Sequence, residues 1–158
     1  MDIQLKTASR EDAPKLHTIQ LKAFSETLER YQDHATNPAN ESIDRVIHRI
    51  THPSSTFHQI IVDDVVVGGI CVVTKAPSRY AISPMFLDPA RQGEGIAQRA
   101  LQLVEAAYPT AATWELRTIR EETRNCYFYE KMGYRLTGVT QPLNERATLV
   151  SYQKSVSQ

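Results

Sequence analysis

Residues 2–7 alternate between polar and apolar, the period-two pattern of a strand with one covered face. Ser9, followed by Glu11, Asp12 and Pro14, then marks a capped helix start. The apolar spacing changes there to three and four: Leu16, Ile19, Ala23, Leu28 and Tyr31 share one face of a helix. Asn, Asp and Pro residues between 32 and 40 break it, and Ile43, Val46, Ile47 and Ile50 form a second amphipathic stripe that stops before Pro53. Two helices joined by a polar loop are predicted.

Residues 57–62 and 65–74 are β-branched runs separated by Asp63-Asp64, the signature of a hairpin. Residues 79–87 read as a further strand, yet they contain Pro84, which has no amide proton for a ladder. The pattern predicts that this strand is unpaired or bulged near its end on at least one side. Ile96, Ala100, Leu103, Val104 and Ala107 trace a helix face ending before Pro109, and 113–119 alternates as a strand. A short helix over 122–132 closed by Gly133, then strands over 134–140 and 146–154, complete the chain. With no repeat or linker in sight, the 158 residues predict a single α+β domain.

Composition removes whole classes of function. Lys+Arg and Asp+Glu are 18 each, so no charge excess points to polyanions or a membrane surface. No apolar run approaches the ~20 residues of a membrane span, and the first residues lack the basic and apolar regions of a signal peptide. Cys71 and Cys126 read as separate thiols in a reducing compartment, which predicts a cytoplasmic protein. His48 and His52 are four apart but lack a third ligand, so no metal is expected. Trp114, alternating with Leu116, is predicted to pack the sheet, and no basic-aromatic cluster suggests nucleic acid.

The segment Gln92-Gly93-Glu94-Gly95-Ile96-Ala97 runs from a strand end into a helix start. Glycines there let successive amides point at one anion while the helix dipole adds attraction. A Walker loop is absent, and the dinucleotide fingerprint fails because Gln98 occupies its last glycine position. On glycines alone, a diphosphate cradle and a plain turn both stand.

Residues 87–97 resemble the acetyl-CoA signature of the GNAT N-acetyltransferase superfamily, [Arg/Gln]-x-x-Gly-x-[Gly/Ala], here Gln92, Gly95 and Ala97. Downstream, Phe128-Tyr129-Glu130-Lys131-Met132-Gly133-Tyr134 resembles that family's Phe-Tyr-Glu-Lys-x-Gly-[Phe/Tyr] ending. The likeness covers nearly the whole chain. It implies a central mixed, mostly antiparallel twisted sheet of about seven strands with about four helices, splayed between the fourth and fifth strands. In the splay, Met85, Phe86 and Leu87 would face the pantetheine arm, with Gln92, Gly93, Glu94, Gly95, Ile96 and Ala97 around the pyrophosphate. Many relatives carry a basic residue where this chain has Glu94, so this carboxylate must point outward, with Arg91 or Arg99 restoring positive potential. Many also carry an asparagine where Glu122 stands; the nearest here is Asn125, which joins the expected CoA-binding residues.

The resemblance makes Tyr129 the general acid for the departing thiolate. A thiol pKa of ~8.5 against ~10 for tyrosine makes full proton transfer uphill by about 2 kcal/mol. Glu115, Glu26, Glu29 and Asp33 are carboxylates that could take the amine proton, and none is singled out. Tyr31, Asp33 and His34 fall in the segment covering the acceptor side in relatives, making them candidates for substrate contact, with a plain loop as the alternative. The implied activity is direct acetyl transfer from acetyl-CoA to a primary amine on a small molecule or peptide. The rival is a CoA-binding regulatory or interaction module without turnover. Homodimers are common among such relatives, although no residue here fixes one.

Overall fold

The computed structural model describes residues 1–156. Seven strands form one sheet: β1 (Ile3–Thr7), β2 (Ser55–Val62), β3 (Val65–Ala76), β4 (Arg79–Leu87), β5 (Thr113–Ile119), β6 (Arg135–Pro142) and β7 (Thr148–Ser155). Their order is β1-β2-β3-β4-β5-β7-β6, and every pair is antiparallel except β4 with β5. Four α-helices accompany them: α1 (Ala13–Tyr31), α2 (Ile43–Thr51), α3 (Ile96–Ala107) and α4 (Thr123–Lys131). The expected α+β sheet and helix numbers are those observed.

Local chemistry explains the joints. Asp63 and Asp64 both take positive φ, 48° and 68°, as a two-residue hairpin between Val62 and Val65 requires. Asp12 accepts from the Ser9 amide at 2.8 Å just before α1, and Pro14 needs no intrahelical partner there. Gly133, at φ 95°, follows α4 as expected.

Alternation along β3 divides the core. Ile70 and Val72 join a cluster with Ile96, Ala100, Leu101 and Val104 of α3 and with Trp114 and Leu116 of β5. Cys71, between them, faces the other way into a cluster with Leu16 and Ile19 of α1, Val46 of α2, Phe57 and Phe86. Gly69 keeps that second layer close, since a Cβ there would stand 2.6 Å from the Phe57 ring. Trp114 is fully buried, as its alternation predicts. In α3 the phase differs from expectation: Leu101 is fully buried, Leu103 half-buried and Ala107 exposed. The apolar stripe is wide enough for the helix to roll toward the sheet with Leu101 innermost.

The Pro84 defect has a defined extent. β4 pairs with β5 only from Arg79↔Thr113 to Ile82↔Leu116, and the β3–β4 register shifts between Ile70 and Val72. Beyond the cis Ser83–Pro84 bond, Met85, Phe86 and Leu87 pair with β3 alone. Among the described residues, no strand pairs with their edge toward β5.

Candidate active site

The unpaired end of β4 forms one wall of a groove of about 420 Å³. Met85, Phe86 and Leu87 line it, together with Gln92, Gly93, Gly95, Ile96 and Ala97 from the loop and first turn of α3. Gly93 and Gly95 have φ of 81° and 79°, and nothing lies within 4 Å of where a Cβ would sit on either. Gly95 is the N-cap of α3 and supplies no side chain, so no side chain caps the first amides of a 12-residue helix. Open backbone donors at the positive end of a helix dipole suit a diphosphate, and a strand edge without a partner suits the amide-bearing arm of CoA. The residues present fit the cosubstrate that the sequence implies.

Glu94 stands apart from that lining. Its carboxylate accepts from Arg91 Nε at 3.0 Å and turns away from the groove, the outward orientation expected of it. Arg91 is thereby neutralised by its neighbour, and Arg99 is exposed outside the lining. Of the loop's own groups, the backbone amides are the ones left to attract an anion, and Arg124 of α4 lines the same groove.

Across the groove, α4 presents Asn125, Phe128 and Tyr129. The rings of Tyr134 and Tyr152 pack on Tyr129 with centroids 6.0 and 6.3 Å away. Those two tyrosines spend their hydroxyls on carboxylates, Tyr134 donating to Glu105 at 2.8 Å and Tyr152 to Glu130 at 2.6 Å. The Tyr129 hydroxyl has no such partner among the described residues. Burial, with a smaller contribution from Cys126, pushes its pKa up to about 12. Relative to a thiol of ~8.5, full proton transfer becomes uphill by roughly 5 kcal/mol. A thiolate leaving in the same dry cleft is destabilised by the same desolvation, which narrows that gap.

A second cavity of about 550 Å³ opens on the far side of the splay. It is lined by Ile82, Ser83 and Pro84 of β4, Leu116 to Ile119 of β5, and Asp33, Thr36 and Asn37 from the loop after α1. Phe24, Thr27, Met85, Glu122, Asn125 and Tyr129 line both cavities. The two spaces thus meet at the tyrosine whose hydroxyl is unengaged.

The remaining candidates separate. Asp33 lines the second cavity, buried, with its carboxylate accepting from the Asn37 amide at 3.0 Å. Tyr31 lines neither cavity; buried, it donates to Glu122 at 2.7 Å. Burial and that carboxylate raise its pKa. Glu115 pairs with Arg79 at 3.3 Å and, like Glu29, lies outside both cavities, whereas Glu26 lines the first and pairs with Arg30 at 2.6 Å. Glu122 is the residue to which sequence reasoning gave no role. It occupies the N-cap position of α4 without a side-chain capping bond, its carboxylate accepts from Tyr31 and Arg30, and it lines both cavities. The signal was its replacement of the family's asparagine.

Among the described residues there is no cluster of three or more His, Cys, Asp or Glu fit to hold a metal, and no helix is long and apolar enough to cross a membrane. Both cysteines are free, and burial raises the Cys71 thiol to about 12.

Known structures share this fold. The PaiA N-acetyltransferase of Thermoplasma acidophilum, in complex with coenzyme A, superposes with a TM-score of 0.80 at 16% identity over 99% of this chain and 100% of that one. The ribosomal-protein-S18-alanine N-acetyltransferase of Escherichia coli gives 0.79 at 13% identity, covering 99% and 96%. A spermidine N-acetyltransferase chimera from Vibrio cholerae and hSSAT gives 0.77 at 14%, covering 98% and 96%. No curated protein matches the chain by sequence. The model of the acetyltransferase (GNAT) family matches residues 14–134, most of the sequence and both motifs, so the chain belongs to the GNAT family of acetyl-CoA-dependent acyltransferases.

Proposed function

We propose that this single-domain chain, residues 1–158, transfers the acetyl group of acetyl-CoA directly to a primary amine, with Tyr129 as the acid. The observation that carries this reading is the meeting of two cavities at a tyrosine whose hydroxyl no group among the described residues engages. The loop amides from Gly93 to Ala97 hold the pyrophosphate, and the free edge of Met85 to Leu87 orients the thioester. An alkylamine of pKa ~10.4 is neutral about once in 2,500 molecules at pH 7, near 4.6 kcal/mol, and entry into a half-enclosed cavity favours the neutral nucleophile. Tyr129 then donates toward the sulfur as the amide forms. A thiol-release assay with acetyl-CoA and a panel of amines tests this: acetyl-CoA binding without thiol release from any amine would favour the non-catalytic module.

We further propose a cytoplasmic homodimer. Every residue of the edge strand β6 is exposed, including Leu136 and Val139, each 59% accessible, and Tyr127 of α4 is 72% accessible. An unpaired edge with exposed apolar side chains favours association with a second copy. Sedimentation of wild type against Val139→Lys tests it. Two unbridged cysteines support a reducing compartment.

A further inference from the structure

The second cavity carries more positive charge than its ion pairs take up. Three guanidiniums line it, from Arg45, Arg49 and Arg117. Arg49 is occupied, donating through both terminal nitrogens to Glu41 at 2.6 and 2.7 Å. Arg45, one turn earlier on α2, is near enough to help lower the Glu41 pKa, yet among the described residues no carboxylate lies within 4.0 Å of it. Arg117 of β5 likewise has no ion-pair partner among the described residues. Because Trp114 and Leu116 point into the α3 layer, alternation turns Arg117 to the opposite face, beside the α1–α2 segment.

One exposed arginine is ordinary solvated surface. Here two, from a helix and a strand far apart in sequence, line one cavity and leave the donor groove alone. Negative charge in the cavity is placed differently. Glu41 is taken by Arg49 and Glu122 by Arg30, while Asp33 is buried with only the Asn37 amide on its carboxylate. A guanidinium presents a planar fork matched to a carboxylate, and two of them repel a polycation.

We infer that the amine acceptor is zwitterionic, a free amino acid or close analogue, whose carboxylate is held by Arg45 and Arg117 while its amine faces Tyr129. The inference rests on the acetyl-transfer reading. In the step, the N–C bond forms as the C–S bond breaks. One proton leaves the amine nitrogen and one is taken up by sulfur, so amine and thioester give amide and thiol.

The test uses the full chain, saturating acetyl-CoA and matched sets of acceptors: an amino acid, its carboxamide and its decarboxylated amine. For the preferred set, kcat/KM for the acid exceeds that for either partner by about tenfold or more, as a charge-assisted contact predicts. Arg117→Gln and Arg45→Gln bring that ratio toward one by raising the acceptor KM, with kcat and the KM for acetyl-CoA changing little. Both side chains are exposed, so loss of folding is not the expected confounder, and melting temperature checks it. Equal rates within every set, a preference for polyamines or peptide N-termini, or a ratio that survives both substitutions would overturn the inference while leaving acetyl transfer intact. Thiol release from no acceptor at all would instead bring down the transfer reading and this inference with it.

Discussion

Tyr31 reaches across 91 residues of sequence to donate its hydroxyl hydrogen to Glu122 at 2.7 Å, tying the end of α1 to the cap of α4. Both elements it joins line the groove along the unpaired end of β4. Hydrogen bonds to charged groups contribute about 1.5–3 kcal/mol, so Tyr31→Phe is expected to lose roughly that much stability in urea unfolding. It should also raise the KM for acetyl-CoA more than it lowers kcat. An unchanged unfolding midpoint would show that Arg30 alone suffices to hold Glu122.

Substitution of Tyr129 by Phe removes the unengaged hydroxyl and keeps the packed ring. Turnover should fall by about 10²-fold or more, the usual share of general acid catalysis, while affinity for acetyl-CoA stays within a few-fold. The protonated form is the useful one, and raising the pKa to about 12 extends it upward. Wild-type kcat/KM should therefore show no falling limb from Tyr129 at pH 8–10; a limb there that vanishes in Tyr129→Phe would mean the hydroxyl ionises much earlier.

At the loop, backbone and side chain make opposite predictions. Gly95→Ala forces a β-carbon onto φ 79°, where an L-residue is strained by about 1–2 kcal/mol, and should weaken acetyl-CoA binding by calorimetry. Glu94→Gln breaks only the ion pair with Arg91 and frees that cation, so binding should hold or tighten. Equal weakening by both would contradict a cradle made of amides.

Glu41 offers a stability test with a defined pH sign. Burial pushes its carboxyl up, but hydrogen bonds and charge from Arg49, with help from Gln20 and Arg45, outweigh this and hold the pKa below its ordinary value. A carboxyl lowered in the folded state stabilises above its unfolded pKa, and loses that contribution as pH falls through the folded pKa. Glu41→Gln, which leaves Arg49 unpaired, should cost about 1–3 kcal/mol at pH 7. The gap to wild type should narrow below about pH 4. A gap independent of pH would assign the loss to packing.

Much of this was legible because it is local. Periods of two and of three to four mark the elements, Gly93 and Gly95 announce positive φ, and Pro84 announces the break in β4. What escaped depends on tertiary placement. The phase of α3 was off because Leu101 and Leu103 are both apolar, and only the sheet decides which lies inward. Residues 134–140 read as an ordinary strand, yet β6 proves an exposed edge, since alternation records what a strand could cover and not whether anything covers it. Arg45 and Arg117 carry no motif; they become a pair only when α2 and β5 border one cavity. Glu122 was visible as a departure from the family pattern, but its partners lie about 90 residues away.

The short β4–β5 ladder has a mechanical consequence. Four paired positions join two blocks of sheet, β1-β2-β3-β4 and β5-β7-β6, and below them the seam is open. A pantetheine arm lying along Met85 to Leu87 would complete the seam in place of a strand, so the donor would double as a removable staple. At 100 times its Kd such a staple adds about 2.7 kcal/mol to folding stability. Amide exchange at the open end of β4 should slow when it is bound, so the protein would count its cosubstrate among the ties of its own sheet.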